Sequence, residues 1–462
     1  MGWSIVIGSG VTGTSDGEHK GQWSCPPYRD ARHSPGGSRP HGVVRGLTAR
    51  PAVGGHHFMT RATTADHLRP SCSPVHSSGS AHASVVITLA LALTARGVEA
   101  QRARHSDHVR VCAGGDVTLG TNLPTYAMPV TSSLGDPPAI DTIPSPWRAK
   151  PARLLAPLRP LVKDADVLLL NLEGAIGDGD TPTKCGPFST LCFAFRMPPA
   201  AAPALRALGG RAVVVGNVAN NHSRDAGADG FDSTVAHLAR AGIVATGVDT
   251  LASVAVTARG DTVAFLGFAT SGPGTPDARD LDAVRRHVAR AAERWPRLVV
   301  TMHVGAEGLP AQRTRDSTER YANGDRGNAV AFARAAVESG ADLVVGHGPH
   351  LLRAAEWQGR VPVFYSLGNL VTYGPFSNKP PIDRGAIACA VLDRKGRVRS
   401  ATLRPTVQRW PGRVARDRSR RAFVLVDSLS RLDFPRTGVR VHDDGTVVRR
   451  PTRSAKRATK KR

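Results

Sequence analysis

The chain has 462 residues, enough for two ordinary domains or one large one with tails. Apolar residues make up 41% of it, and no apolar run reaches the ~20 residues of a transmembrane helix, which excludes a polytopic membrane protein. The formal charge of +24 suggests a nucleic-acid or membrane binder until its placement is read. Residues 1–110 carry 12 Lys/Arg against 6 Asp/Glu, residues 394–462 carry 22 against 5, and the stretch between them carries 27 against 26. Chemistry is therefore expected in the nearly neutral middle, and any polyanion affinity at the flanks.

Residues 1–82 form a low-complexity leader, dense in Gly, Pro, Ser, Arg and His and without sustained periodicity, which reads as disorder. Ten of the 17 histidines fall before residue 111, scattered apart from the pair His56-His57, so they form no metal-binding tract. Met59 offers an alternative start. Residues 83–95 (ASVVITLALALTA) are uncharged, follow Arg61 and Arg69, and precede a small residue at Ala100. Within a segment spanning 83–100 this suits a secretory h-region with cleavage after Ala100, or a short membrane anchor. Both place the following domain outside the cytoplasm, secreted or membrane-associated at the bacterial cell envelope.

Of the six cysteines, Cys25 and Cys72 lie in the leader. Cys112 and Cys389 sit inside predicted strands and read as small core residues. Cys185 and Cys192 flank a Gly-Pro loop (KCGPFSTLC) and are expected to form a local disulfide in an oxidising compartment.

From 108 to 400 apolar β-branched runs alternate with amphipathic stretches. The predicted strands are 109–113, 167–170, 212–215, 262–268, 298–302, 343–345, 361–365 and 386–392. The predicted helices are 152–162, 232–241, 281–294 and 328–339. Such alternation means an α/β fold. After residue 400 an Arg-rich C-terminal extension (401–462) begins; only 422–426, Val439 and Val441 look able to order against the domain. The last dozen residues read as a solvated basic tail.

Polar residues collect where these strands end. Asp116 follows the first, Asn171 and Glu173 the second, and Asn217, Asn220, Asn221 and His222 the third. His303 and Glu307 follow the fifth, and His347 and His350 the sixth. Ligands of α/β folds assemble at the carboxyl ends of strands. Each residue alone has an ordinary explanation: a cap at Asn220 or Asn221, a turn at His347-Gly-Pro-His350, turn formers at Glu356, Ser366 and Asn369. Five strands ending this way in order make a site the better reading. The donors are carboxylate, amide oxygen and imidazole without thiolate, a set suited to Mn, Fe or Zn. Two such ions, with Glu173 bridging, would clamp a phosphoryl displacement while His222, oriented by Asp225, protonates the leaving oxygen. His237, His287 and His442 read as surface residues.

Gly115-Asp116, Asn171-Leu172-Glu173, Ala219-Asn-Asn-His222-Ser-Arg-Asp225 running on to Gly230, His303-Val-Gly-Ala-Glu307, Gly346-His-Gly-Pro-His350 and Tyr365-Ser-Leu-Gly-Asn369 resemble the capsule-synthesis CapA family. That family is associated with poly-gamma-glutamate capsule and belongs to the calcineurin-like metallophosphoesterase superfamily. The resemblance covers about 110–395. It implies a four-layer α/β/β/α sandwich with Asp116, Glu173, Asn221, His303 and His350 as metal ligands and His347 as ligand or substrate contact. It also implies His222 as the phosphate-facing acid and Asn171, Asn220, Glu307 and Asn369 at the substrate. Compared with the wider superfamily, Asp116-Val117-Thr118 lacks the histidine of Asp-x-His, and Glu173 replaces a bridging Asp, so one ion is expected to be held weakly.

Two functions follow as expectations. One is a metal-dependent hydrolase acting on a phosphoester or amide of a cell-surface polymer. The other is a non-catalytic component of capsule assembly or export that grips an anionic polymer such as poly-gamma-glutamate, within a membrane capsule-synthesis complex. No specific nucleic acid is expected, because no RNP, zinc-finger or helix-turn-helix pattern accompanies the charge.

Overall fold

The structure is a computed structural model that describes residues 108–122, 150–178, 184–185, 193–271, 274–322, 324–374 and 379–450. The chain divides into two units, 1–78 and 79–462, and every described residue belongs to the second. The leader, the 83–100 segment, Cys192 and residues 451–462 lie outside the described residues.

Two β-sheets stack between two helical layers. In spatial order the first sheet runs Arg413–Arg416, Val398–Arg409, Arg384–Asp393, His108–Thr118, Val167–Leu172, Val213–Asn217 and Val244–Thr246. Asn369–Thr372 pairs onto the far end of His108–Thr118. The second runs Ala355–Gln358, Val361–Phe364, Leu343–His347, Leu298–His303, Thr262–Ala269 and Ser253–Val256.

Side-chain alternation explains the layering. In His108–Thr118, Val109, Val111 and Ala113 face the second sheet and pack with Val263, Phe265, Val299 and Val345. Cys112 and Val117 point the other way, to a core shared with Leu155, Leu158, Leu205 and Phe231. On the outer face of the second sheet, Leu266, Val300 and Val344 meet Val284, Val288, Phe332 and Ala336 of the Leu281–Arg294 and Ala329–Glu338 helices. The expected four-layer α/β/β/α sandwich is present. All eight predicted strands form, and two of the predicted helices begin at side-chain caps: Asp280 accepts from the Ala283 amide, and Asn328 from those of Val330 and Ala331.

Two expectations are corrected. Cys112 and Cys389 are not separate small core residues. They are direct partners on antiparallel strands and form a disulfide between residues 277 apart in sequence. Cys185 is disulfide-bonded too. The Arg-rich region is not an appendage either: the boundary at 400 falls inside Val398–Arg409, which pairs with Arg384–Asp393 along its length. It continues into Arg413–Arg416, a helix at Arg421–Asp433 and a hairpin of Val439–Val441 with Val447–Arg449. Its strand turns Ala401, Leu403 and Pro405 inward while Arg399 and Arg409 stay in solvent. Arginine-rich composition hid an ordinary two-residue alternation. The Ala201–Gly209 helix, rich in Ala and Leu, was not foreseen.

Candidate metal centre

The carboxyl ends of both sheets come to one place. In the first sheet Asp116 stands level with Asn369 on one neighbouring strand and Asn171 on the other, and Asn171 is level with Asn217. In the second sheet His303 and His347 are register partners on adjacent parallel strands. A register shift after Ala113 bulges the first strand and re-aims Asp116. Gly115 permits it: a Cβ there would lie 1.8 Å from the Gly368 carbonyl oxygen, and the Asp116 amide donates to that same oxygen at 3.0 Å. His350 closes the site from a turn, with φ +61°, a left-handed conformation that a non-glycine residue adopts at a cost.

The side chains converge. Donor atoms of Asp116, Glu173 and His350 all lie within 4.8 Å of one another, and all three residues are buried. Asp116 Oδ2 is 3.1 Å from His350 Nδ1 and its Oδ1 is 3.7 Å from His347 Nδ1. Glu173 Oε1 is 3.6 Å from both His303 Nε2 and His350 Nε2. Among the described residues, no hydrogen-bond partner meets either Glu173 oxygen, His303 Nε2, either His347 nitrogen or Asn221 Oδ1, although all are buried. Buried polar atoms are normally paired, so a convergent group of orphaned oxygens and imidazole nitrogens calls for an explanation.

Charge is strained in the same way. Burial drives the Glu173 carboxyl well above its ordinary range, and the neighbouring Asp116 and Glu307 charges add to the rise. Burial would also raise Asp116, but the His350 hydrogen bond and the three imidazoles hold it low. Burial pushes His303 down and His347 to about 4, so both are neutral donors at physiological pH. For His350 burial is outweighed by Glu173, Asp116 and Glu307, which favour its proton; a cation would displace it. This donor set fits a divalent transition metal held by Asp116, Glu173, His303, His350 and His347. Asn221 presents a buried, unpaired amide oxygen on the turn that precedes the Gly227–Arg240 helix.

Around the ligands, buried amides fix their aim. Asn171 Nδ2 donates to Asp116 Oδ1 at 2.8 Å and lies 3.3 Å from His303 Nδ1, while its Oδ1 accepts from Asn217 Nδ2 at 2.8 Å. Asn220 Nδ2 donates to the Leu172 carbonyl, and its Oδ1 accepts from the His222 amide. Asn369 Oδ1 lies 3.0 Å from His350 Nδ1. Asn171, Asn220 and Asn369, expected at the substrate, help to fix the side chains around them through these bonds, while Asn369 Nδ2 has no hydrogen-bond partner among the described residues. Glu307 Oε1 pairs with Arg326 at 2.9 Å, and its Oε2 lies 3.7 Å from His350 Nε2.

His222 and Asp225 are joined as expected, with Nδ1 2.6 Å from Asp225 Oδ2. Sequence reading missed the third member: Lys184 Nζ lies 2.5 Å from Asp225 Oδ1 and donates to the Asn221 carbonyl at 3.0 Å. The Phe195 amide also donates to Asp225. Burial lowers His222, with Asp225 opposing and Lys184 reinforcing the fall. Arg326, Glu319 and Arg353, which frame the wall beyond Glu307, were missed as well. Their only advance signal was charge, placed in the loop after 303 for Glu319 and Arg326 and just beyond His350 for Arg353.

Residues 110–373 match the family described as Bacterial capsule synthesis protein PGA_cap. The chain belongs to that family. It is 31% identical over 170 residues to the PGA biosynthesis protein CapA of Bacillus subtilis, a match covering 34% of this chain and 41% of that one. It is 29% identical over 175 residues to the capsule biosynthesis protein CapA of Bacillus anthracis, covering 34% and 39%. The chain thus spans well under two thirds of these curated relatives, and 26% of an uncharacterized Sinorhizobium fredii protein. Among solved structures, a 5'-nucleotidase precursor from Thermus thermophilus aligns over 71% of this chain and 59% of its own, at 13% identity and a TM-score of 0.31.

Proposed function

We propose that this CapA-family chain is an extracytoplasmic, metal-dependent hydrolase that cleaves a phosphoester or amide within an anionic capsule polymer such as poly-gamma-glutamate. The observation that carries the reading is the set of orphaned, buried donor atoms on Glu173, His303 and His347 beside Asp116 and His350. When bound, one or two Mn, Fe or Zn ions would polarise the scissile group and supply the attacking oxygen at neutral pH. Asp116, Glu173, His303 and His350 hold their donor atoms in place, and Asn171 and Asn369 keep the carboxylate and imidazoles from rotating away. His222 has Nδ1 tied to Asp225, which leaves Nε2 to carry a proton to the leaving oxygen. The depressed pKa of His222 makes its protonated form a strong donor.

The export reading draws support from the Cys112–Cys389 disulfide and from the bonded state of Cys185, since such bonds persist in oxidising compartments. Among the described residues no helix is long and apolar enough to cross a membrane. Assembly with a membrane capsule-synthesis complex belongs to the same proposal and draws on family membership alone.

The test is metal analysis of the purified full chain together with hydrolysis of p-nitrophenyl phosphate. About two transition ions per chain and metal-dependent turnover are expected. A metal-free, inactive protein that still binds poly-gamma-glutamate would favour a non-catalytic role in assembly or export.

A further inference from the structure

Next to the metal centre lies a cavity of about 810 Å³, whose wall includes Glu307, Arg313, Arg315, Glu319, Arg320 and Lys379. Glu307 belongs to both places: it lines the cavity, and its Oε2 is 3.7 Å from His350 Nε2. A space of this size suits a ligand of many atoms, far more than one phosphate.

The wall's charge is one-sided once its ion pairs are taken into account. Both glutamates are neutralised by residues that do not line the cavity. Arg326 pairs with Glu307 at 2.9 Å, and the buried Arg353 grips Glu319 with two bonds of 2.8 and 2.7 Å. Arg353 also donates to the Ala306 carbonyl, and Glu319 Oε2 accepts from the Ala306 amide, so the loop between them is pinned at both ends. On the cavity side, Arg313 is paired with Asp433. Arg315 and Arg320 are exposed and have no acidic partner among the described residues. A cavity whose wall carries the surplus cations Arg315 and Arg320 beside neutralised acids attracts anions.

We propose that this cavity is a subsite for the anionic extension of the substrate, where Arg315 and Arg320 bind carboxylate or phosphate groups lying beyond the bond cleaved at the metal centre. The inference builds on the hydrolase reading for what happens next door, while binding in the cavity stands independently of it. The subsite selects for charge and length; the metal centre breaks the bond. Small neutral-tailed esters would reach the metals without touching it.

The test is fluorescence anisotropy on the full chain with a labelled γ-linked glutamate decamer, using the uncharged γ-linked glutamine decamer and inorganic tripolyphosphate as competitors. Arg315→Glu with Arg320→Glu should weaken decamer binding about tenfold or more, and leave p-nitrophenyl phosphate turnover within about twofold. The milder pair Arg315→Gln and Arg320→Gln should give an intermediate loss. A wild-type chain that does not bind the decamer would overturn the proposal. The control Arg286→Glu with Arg290→Glu, on the exposed face of the Leu281–Arg294 helix, should change binding less than twofold. Equal losses from control and subsite variants, unchanged binding in the subsite variants, or competition by the neutral decamer would each overturn the proposal. If wild-type protein binds the decamer but holds no metal and hydrolyses nothing, the catalytic reading fails and the subsite survives.

Discussion

Two buried clusters of charge sit at the same edge of the sandwich and are built in opposite ways. Around Arg353 both carboxylate oxygens of Glu319 are engaged and Ala306 supplies a backbone bond to each partner, so that Nε is the one Arg353 nitrogen left without a hydrogen bond among the described residues. Around Glu173 neither carboxylate oxygen has a hydrogen-bond partner among the described residues, and imidazole nitrogens of His303 and His347 face the same place unpaired. Arg353 and Glu173 are both buried and Glu319 keeps only slight exposure, so the main difference lies in satisfaction. A cluster whose groups satisfy one another holds structure, while one whose donors converge on a shared point is prepared for something the chain does not itself provide.

Substitution in the two clusters should therefore separate activity from stability. Glu173→Gln keeps the shape and removes the charge; it is expected to cut metal affinity and metal-dependent turnover at least ~100-fold, measured by metal analysis and kinetics, with little loss of fold. Arg353→Met should do the reverse. Leaving Glu319 buried without its partner is expected to cost about 3–5 kcal/mol in urea unfolding, with the metal ligands intact in the protein that remains folded. If both variants lost stability alike and neither lost metal, the contrast between the clusters would be wrong.

Smaller effects sharpen the picture. Lys184→Met should lower kcat about tenfold at unchanged metal content, because Asp225 would lose the cation that helps fix its carboxylate opposite His222. A loss confined to KM would place Lys184 at the substrate instead. The smallest effect is one of pH. Asp342 is raised to about 6, mainly by burial and further by Asp393, with the Leu298 amide opposing. Its folded pKa lies above its unfolded one, so its contribution is intact below about pH 4 and lost as pH rises through 6. About two pKa units correspond to roughly 3 kcal/mol at most. Asp342→Asn should stabilise the protein at pH 7 by about 1–3 kcal/mol and change little at pH 4, read from urea melts at the two values.

Much of this was legible in the sequence because it rests on local rules. Strand ends could be read from apolar runs, and the converging side chains of Asp116, Glu173, His303, His347 and His350 follow those ends directly. What could not be read needs knowledge of which neighbour lies across a gap. Cys112 and Cys389 look like ordinary core residues until their strands are set antiparallel and in register. Asn171 looks like a substrate contact until Asp116 and Asn217 are found on either side of it. Lys184 lies 41 residues before Asp225 in a loop without pattern, and only the fold brings them together. The Arg-rich stretch beyond 400 misled for a different reason: total charge says nothing about alternation, and Ala401 and Leu403 point inward between exposed or half-exposed polar residues.

Anomalous diffraction from crystals grown with Mn or Zn, collected on either side of the metal edge, tests the central claim most directly. The expected result is a peak within bonding distance, about 2.0–2.2 Å, of a Glu173 oxygen and His303 Nε2, with Asp116 or His350 completing its surroundings. A well-ordered site at full metal concentration with no anomalous peak among these residues would contradict it.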